Sequence, residues 1–337
     1  MSGPLLLLVA VASLAASFAG SGIARRAFVR WRVVDVPNGR SSHRDPVPRG
    51  GGLAFVIVIL LAWAGLALSG APDLPWPMLA GAVAVAAVSM ADDVRGVGWT
   101  VRLAIQALAV AAGVASLPAG QAILLPDLPP LLDRLIIGLA WLWFVNLFNF
   151  MDGINGIAAT EAVVVGLGLA AIATVAGLAG WPLAPAVVVA AAVLGFLPYN
   201  VPVARMFMGD VGSATLGFVL GWLLILVATE GALATALLLP LYFLVDATST
   251  LVLRALRGER LHEAHRRHAY QVAVDRGLPH TLVSGAVGGL GVVLAGLGYV
   301  ALDRPLLALA VGLAITAGFI LWLRGAFSSR RRTPMPD

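Results

Sequence analysis

The 337-residue sequence contains no cysteine and no lysine, and only 12% of its residues are charged. Without cysteine, disulfides and thiolate metal sites are excluded. The scarcity of charge says more. A water-soluble domain carries roughly 25% charged and about 45–50% apolar residues, whereas 60% of this chain is hydrophobic. A soluble fold of that composition has too little polar surface to cover itself, and the solvent left for it is lipid. All 22 basic residues are arginine, against 17 acidic ones, a formal net charge of +5. Such a balance would suit nucleic acid, but the arginines fall in short loops between apolar runs, the pattern that orients membrane helices. No nucleic-acid partner is expected.

A helix needs about 20 apolar residues to cross a bilayer. Runs of this kind lie near 4–23, 51–69, 77–94, 101–118, 131–148, 159–179, 183–201, 213–229, 232–253, 281–301 and 305–323. They are continuous rather than alternating, so helices, not a barrel, satisfy the backbone in lipid. The expected fold is all-α: a polytopic transmembrane bundle of about 10–11 membrane-spanning helices, forming a single domain over 1–337. The first run is followed, not preceded, by Arg25, Arg26, Arg30 and Arg32, so it reads as a retained span with the N-terminus outside rather than a signal peptide. If the 24–50 loop is cytoplasmic, the loops near 91–100, 149–158, 200–212 and 254–280 and the tail after 324 follow it. The C-terminus is then cytoplasmic too, and only Arg134 and Arg304 fall outside.

The inner loops hold nearly all the unusual polar residues. Ala91-Asp92-Asp93-Val94-Arg95 ends the third run. Adjacent residues on a helix point about 100° apart, so one carboxylate can meet a metal or base site while the other meets a partner; a helix-end ion pair with Arg95 is the plainer alternative. In Asn146-Leu-Phe-Asn149-Phe-Met-Asp152-Gly153-Ile154-Asn155-Gly156, oxygen ligands between glycines suit a hard cation such as Mg²⁺ or a nucleobase edge, although an ordinary Asn/Gly turn has the same composition. Phe196-Leu-Pro-Tyr-Asn200-Val-Pro202 is followed by Arg205-Met-Phe207-Met-Gly209-Asp210-Val-Gly212-Ser213. A helix opening at Gly212 and Ser213 would turn its amides toward a phosphate, with Phe207 as a stacking face; an N-cap at Asp210 and a lipid anchor at Phe207 is the alternative. The segment from Arg254 to Arg276 carries His262, His265, Arg266, Arg267, His268 and Gln271, a cationic setting that opposes a metal and favours phosphate or anionic lipid. The loop from Asp35 to Gly52 contains Arg40, His43, Arg44 and Arg49 and could close over a phosphate; a plain basic inner loop is the alternative.

The order PNGRSSHRDPVPRGGG, ADD, NFMDGING, FLPYNVP with FMGDVGS, and HEAHRRHAYQ, spanning residues 35–271, resembles the polyprenyl-phosphate N-acetylhexosamine-1-phosphate transferases of glycosyltransferase family 4. The last motif is most similar to the O-antigen-initiating branch. The resemblance implies transfer of an N-acetylhexosamine-1-phosphate from a UDP-sugar to undecaprenyl phosphate with Mg²⁺, or Mn²⁺ in its place, releasing UMP. It implies a homodimer in the bacterial cytoplasmic membrane, with the site on the cytoplasmic face. It makes Asp210 the metal ligand with Asn149 as a second. Asp92 and Asp93 become the acidic pair, Asp92 first in line to orient or deprotonate the acceptor phosphate. Asn155 and Phe207 match uracil contacts, Asn200 lies in the same pocket motif, and Asp152 supports the nucleotide site. His265, Arg267 and His268 resemble the diphosphate- and sugar-facing segment, and Arg40 and His43 are further substrate-binding candidates. Asn155 departs from the Asp of many bacterial members, Arg95 from the Lys of the phospho-MurNAc-pentapeptide translocase, and the histidines are spread rather than packed as a triplet. A transporter or flippase for a lipid-linked or anionic solute is the rival reading, but it would place polar groups near the bilayer midplane rather than at helix ends.

Overall fold

The computed structural model describes residues 2–35, 46–71, 73–118, 123–124, 127–260 and 265–325. Its helices in chain order are α1 (Gly3–Trp31), α2 (Gly52–Leu68), α3 (Trp76–Arg95), α4 (Trp99–Ala115), α5 (Pro130–Phe150), α6 (Ile157–Val175), α7 (Leu183–Asn200), α8 (Gly209–Thr229), α9 (Leu233–Leu238), α10 (Leu241–Leu256), α11 (Ala269–Asp275), α12 (His280–Val300) and α13 (Pro305–Leu323). A two-residue antiparallel ladder joins β1 (Val34–Asp35) to β2 (Val47–Pro48). Eight helices are long and apolar enough to cross a membrane, and α2 and α4 are apolar but shorter. Those ten, with α9 and α10 together as an eleventh, make up the expected transmembrane bundle.

The bundle is apolar on its outside as well as inside. Leu7, Leu61, Leu108, Leu139 and Leu306 are each more than 60% exposed, an arrangement that water would oppose and lipid favours. The axis of the fold is α8, buried along nearly its whole length against α2, α3 and α5. Indole N–H groups pin its surroundings: Trp141 donates to the Phe218 carbonyl at 2.9 Å and stacks on the Phe218 ring, while Trp222 donates to the Asp73 carbonyl at 2.7 Å. A buried indole left without an acceptor would oppose this packing. α1 lies on α7, and α6 packs between α7 and α12.

Three departures from the expected boundaries bear on the architecture of the site and its surroundings. α1 runs on to Trp31, eight residues past the expected end; at about 1.5 Å per residue its last two turns project beyond the hydrocarbon and carry its arginines. The expected span 232–253 is broken between Leu238 and Leu241, where Pro240 has no N–H to continue the ladder. α8 begins at Gly209, so Asp210 stands inside its first turn rather than before it.

One end of the bundle is tied together by polar contacts. Gly51 N–H donates to the Phe207 carbonyl, Phe207 N–H to the Pro48 carbonyl, Tyr270 Oη to the Phe150 carbonyl, and Ser284 Oγ to the Asn155 carbonyl. The loops expected on a common face therefore meet in space. At the other end, Arg134 donates to the Val114 and Leu117 carbonyls and Asp133 accepts the amides of Ile123 and Leu124.

Candidate active site

The site is built around the first turn of α8. Gly209 adopts φ of +74°, and a Cβ there would strike Asp93 Oδ2 and the Gly50 backbone. Glycine thus lets the chain turn into α8 with a carboxylate against its first amides. Asp93, fully buried at the end of α3, accepts the N–H groups of Asp210 and Val211, both at 3.0 Å. The helix is capped by a residue 117 positions away and not by its own sequence. These amides are consequently committed, and the expected phosphate cradle opening at Gly212 and Ser213 is not what the structure shows. Gly212 instead lies against the Gly52 backbone, a contact that no side chain at either position would allow.

Two arginines bind the acids into one cluster. Arg49 reaches Asp93 and Asp210, each at 2.7 Å; Arg102, in the first turn of α4, reaches Asp92 and Asp210, each at 2.6 Å. Asp92 also accepts the Val97 amide at 2.6 Å. The adjacent carboxylates do point different ways, Asp93 into the α8 cap and Asp92 toward α4. The ion pair suggested for Arg95 is absent among the described contacts; Arg95 is exposed, and Arg102 takes that place.

The turn after α5 joins this cluster electrostatically. Burial pushes the Asp152 carboxyl up to about 7, with Asp210 and Asp93 adding to the shift and Arg49 opposing it. Asn149 is partly buried in the last turn of α5, its carbonyl accepting the Asp152 amide at 3.2 Å. Asn200 is buried, and its side chain accepts the Gly156 amide at 2.7 Å and donates to the Met206 carbonyl at 3.1 Å. Both ends of that amide are spent holding the Asn155–Gly156 turn to the segment carrying Phe207. Asn155 itself is held through its backbone by Ser284 and His280, and Phe207 is half-buried.

His265 and His268 lie on a separate segment, their rings 4.8 Å apart, with His268 stacked on Tyr270. Burial lowers His265 to about 4, helped by His268, Arg254 and Arg267; burial lowers His268 to about 4, helped by Arg324 and Arg254. Both imidazoles are neutral at pH 7. Arg267 is exposed and pairs with Glu259. The segment approaches the acid cluster through Tyr270, which donates to the Phe150 carbonyl beside the Asp152 turn. Arg40 and His43 lie outside the described residues.

Three carboxylates thus share two guanidinium groups, and the charges of Asp210 and Asp93 add to the burial that already raises the proton affinity of Asp152. A hard divalent cation fits such a donor set. Mg²⁺ takes one or two protein carboxylates and fills its sphere with water and substrate phosphate; no group of three or more His, Asp or Glu that could hold a metal ion occurs among the described residues. From Leu103, the residue after Arg102, an open groove of about 580 Å³ runs between α4, α5 and α10, lined also by Leu139, Leu142, Trp143, Asn146 and Phe150.

The model of "Glycosyl transferase family 4" matches residues 75–228. A Bacillus subtilis protein named "Probable undecaprenyl-phosphate N-acetylglucosaminyl 1-phosphate transferase" is 30% identical over 274 residues, 77% of this chain and 75% of the relative. A decaprenyl-phosphate N-acetylglucosaminephosphotransferase of Mycolicibacterium smegmatis is 30% identical over 64% of this chain and 58% of its own length. A phospho-N-acetylmuramoyl-pentapeptide-transferase of Deinococcus radiodurans is 32% identical over 54% of this chain and 63% of its own length. With a matching family model that runs from α3 through α8 and a relative covered over three quarters of its length, the chain belongs to glycosyl transferase family 4, the family of polyprenyl-phosphate sugar-1-phosphate transferases.

Proposed function

We propose that the protein transfers an N-acetylhexosamine-1-phosphate from a UDP-sugar to undecaprenyl phosphate, giving undecaprenyl-diphospho-N-acetylhexosamine and UMP. The reaction begins a cell-surface glycan of O-antigen type, at the cytoplasmic face of a bacterial inner membrane. The observation that carries this reading is an Arg–Asp cluster whose Arg102 is followed in α4 by Leu103, the first residue of an open apolar groove. A polyprenyl acceptor needs both: a trough for its chain and cations for its phosphate.

The reaction forms one bond, from an acceptor phosphate oxygen to the β-phosphorus of the donor, and breaks one, from that phosphorus to the bridging oxygen retained by UMP. Such a transfer needs positioning and charge neutralisation more than covalent participation. Asp210, with Asn149 as a second ligand, would hold Mg²⁺, which would neutralise charge on the donor diphosphate. Arg49 and Arg102 each bring a planar fork of donors that suits phosphate as well as carboxylate, and both reach Asp210 itself. Asp93 has its oxygens engaged by Arg49 and two amides, so it orients Asp210. Asp92, held on the α4 side by the Val97 amide and Arg102, is the carboxylate that orients or deprotonates the acceptor. Asp152 and the Asn155–Gly156 turn seat the nucleotide, with Phe207 as the stacking face for uracil. His265, Arg267 and His268 approach the sugar and diphosphate; a neutral imidazole there donates or accepts a hydrogen bond without adding charge. Purified protein given undecaprenyl phosphate, Mg²⁺ and a panel of UDP-N-acetylhexosamines is expected to release UMP with at least one donor. Silence across the panel would sink the reading.

A further inference from the structure

One buried carboxylate has no part in the transfer described above. Asp246 stands in α10, fully buried. Its two oxygens accept the Ala269 amide at 3.0 and 2.9 Å, and it also receives Tyr242 Oη at 3.2 Å and Thr250 Oγ1 at 3.3 Å. Arg324, the residue after α13, lies 3.7 Å from it and donates to Thr250 Oγ1 at 3.0 Å and to the Arg267 carbonyl at 3.4 Å. A buried charge is costly unless its partners are specific, and here every partner belongs to one junction of α10, α11 and α13.

What this junction holds is the approach to the site. Ala269 is the first residue of α11 and directly follows Arg267 and His268. With only seven residues, α11 is too short to sustain a helix by itself. Its other end is held as well, since Arg276 donates to the Leu323 carbonyl at 2.9 Å. Between these ties, Tyr270 places its hydroxyl on the Phe150 carbonyl next to the Asp152 turn.

We propose that Asp246 and Arg324 form a latch that positions the His265–Gln271 segment against the Asp152 turn, making the end of α13 a working part of the site. The proposal rests on the transferase reading for its effect on turnover, but not for its effect on order. Without the latch the segment must be ordered when the donor binds, and the donor KM rises by the inverse of the fraction still ordered. If about one molecule in ten remains ordered, the rise is about tenfold.

The test uses full-length protein as wild type, Asp246→Ala, Asp246→Asn and Arg324→Ala, with hydrogen exchange over 265–275 and donor KM and kcat measured for each. Asp246→Ala is expected to raise donor KM by about tenfold and to speed exchange over 265–275 while α8 exchanges at its wild-type rate. Asp246→Asn keeps a carbonyl oxygen for the Ala269 amide and stays within about threefold of wild type on both readouts, and Arg324→Ala moves both in the same direction as Asp246→Ala. Lower kcat at unchanged KM, unchanged exchange over 265–275, or an asparagine no better than the alanine would overturn the latch. If Asp246→Ala does not fold, Arg324→Ala carries the same readouts. A wild type silent with every donor would refute the transferase reading alone, because exchange still decides the latch.

Discussion

Replacing Asp93 by asparagine separates a helix cap from an acid that touches substrate. The variant keeps the volume of the side chain but offers one oxygen where two now accept the Asp210 and Val211 amides. Losing a cap costs about 0.5–2 kcal/mol. An NH₂ turned toward a buried N–H leaves a donor unsatisfied, for about 1–3 kcal/mol more. The Arg49 pair adds little, because that guanidinium is 37% exposed and screened by water. The sum is about 1.5–5 kcal/mol, or roughly 3–10 °C in melting temperature for a chain of this size. Asp210→Asn, whose partners are two partly exposed arginines, is expected to melt within about 2 °C of wild type. Turnover should fall by about a hundredfold or more in both: in Asp93→Asn because a shift of about 1 Å at a reacting centre costs that much, and in Asp210→Asn because the metal ligand itself is lost. The assays are thermal unfolding in detergent and UMP release on the same preparations. An inactive Asp93→Asn protein that melts with wild type would refute the cap and place Asp93 on the substrate.

Four further outcomes are expected. Arg102→Ala strips the cation shared by Asp92 and Asp210 and should lower kcat/KM at least tenfold, with Arg102→Lys recovering only part because a point charge replaces a fork. Gly52→Ala drives a methyl into the Gly212 backbone, an overpacking of about 1–3 kcal/mol or more, read as a lower melting temperature. Leu139→Trp fills the groove that runs from Leu103 and should raise KM for the lipid acceptor while leaving donor KM unchanged; parallel rises in both would argue against the groove as the acceptor path. Stability should also fall with acid: His268 titrates near 4 in the fold against 6.5 unfolded, so the unfolded state binds the extra proton between those values. The stability it withholds is present above pH 6.5 and lost as pH drops toward 4, and His268→Gln should flatten that limb.

Much of this architecture is legible in the sequence because a bilayer imposes a length on every helix. The spans near 183–201 and 305–323 match α7 and α13 almost to the residue. The clustering of Asp92, Asp93 and Asp210 is foreshadowed by their falling on one predicted face. What the sequence hides is pairing across distance. Arg49 stands 161 positions from Asp210, and nothing local announces their contact. Arg102 and Asp246 are absorbed into apolar runs when hydropathy is averaged over about 20 residues, although a charge inside such a run is itself a signal, being costly there unless it has a partner. Asn200 shows the converse: its motif reads as ligand-facing, while its side chain is occupied in holding two turns together. The cap on α8 was out of reach for the same reason as Arg49, because helix caps are usually sought in the preceding few residues.

In the proposed reaction a phosphorus atom passes from nucleotide to lipid, and following that atom decides whether it does. With a UDP-N-acetylhexosamine labelled at its β-phosphate, undecaprenyl phosphate and Mg²⁺, the label is expected to move into the organic phase with the lipid while unlabelled UMP stays in water. Label that remains in the aqueous phase with every donor tried, as intact UDP-sugar or as a hydrolysis product, would contradict that reaction.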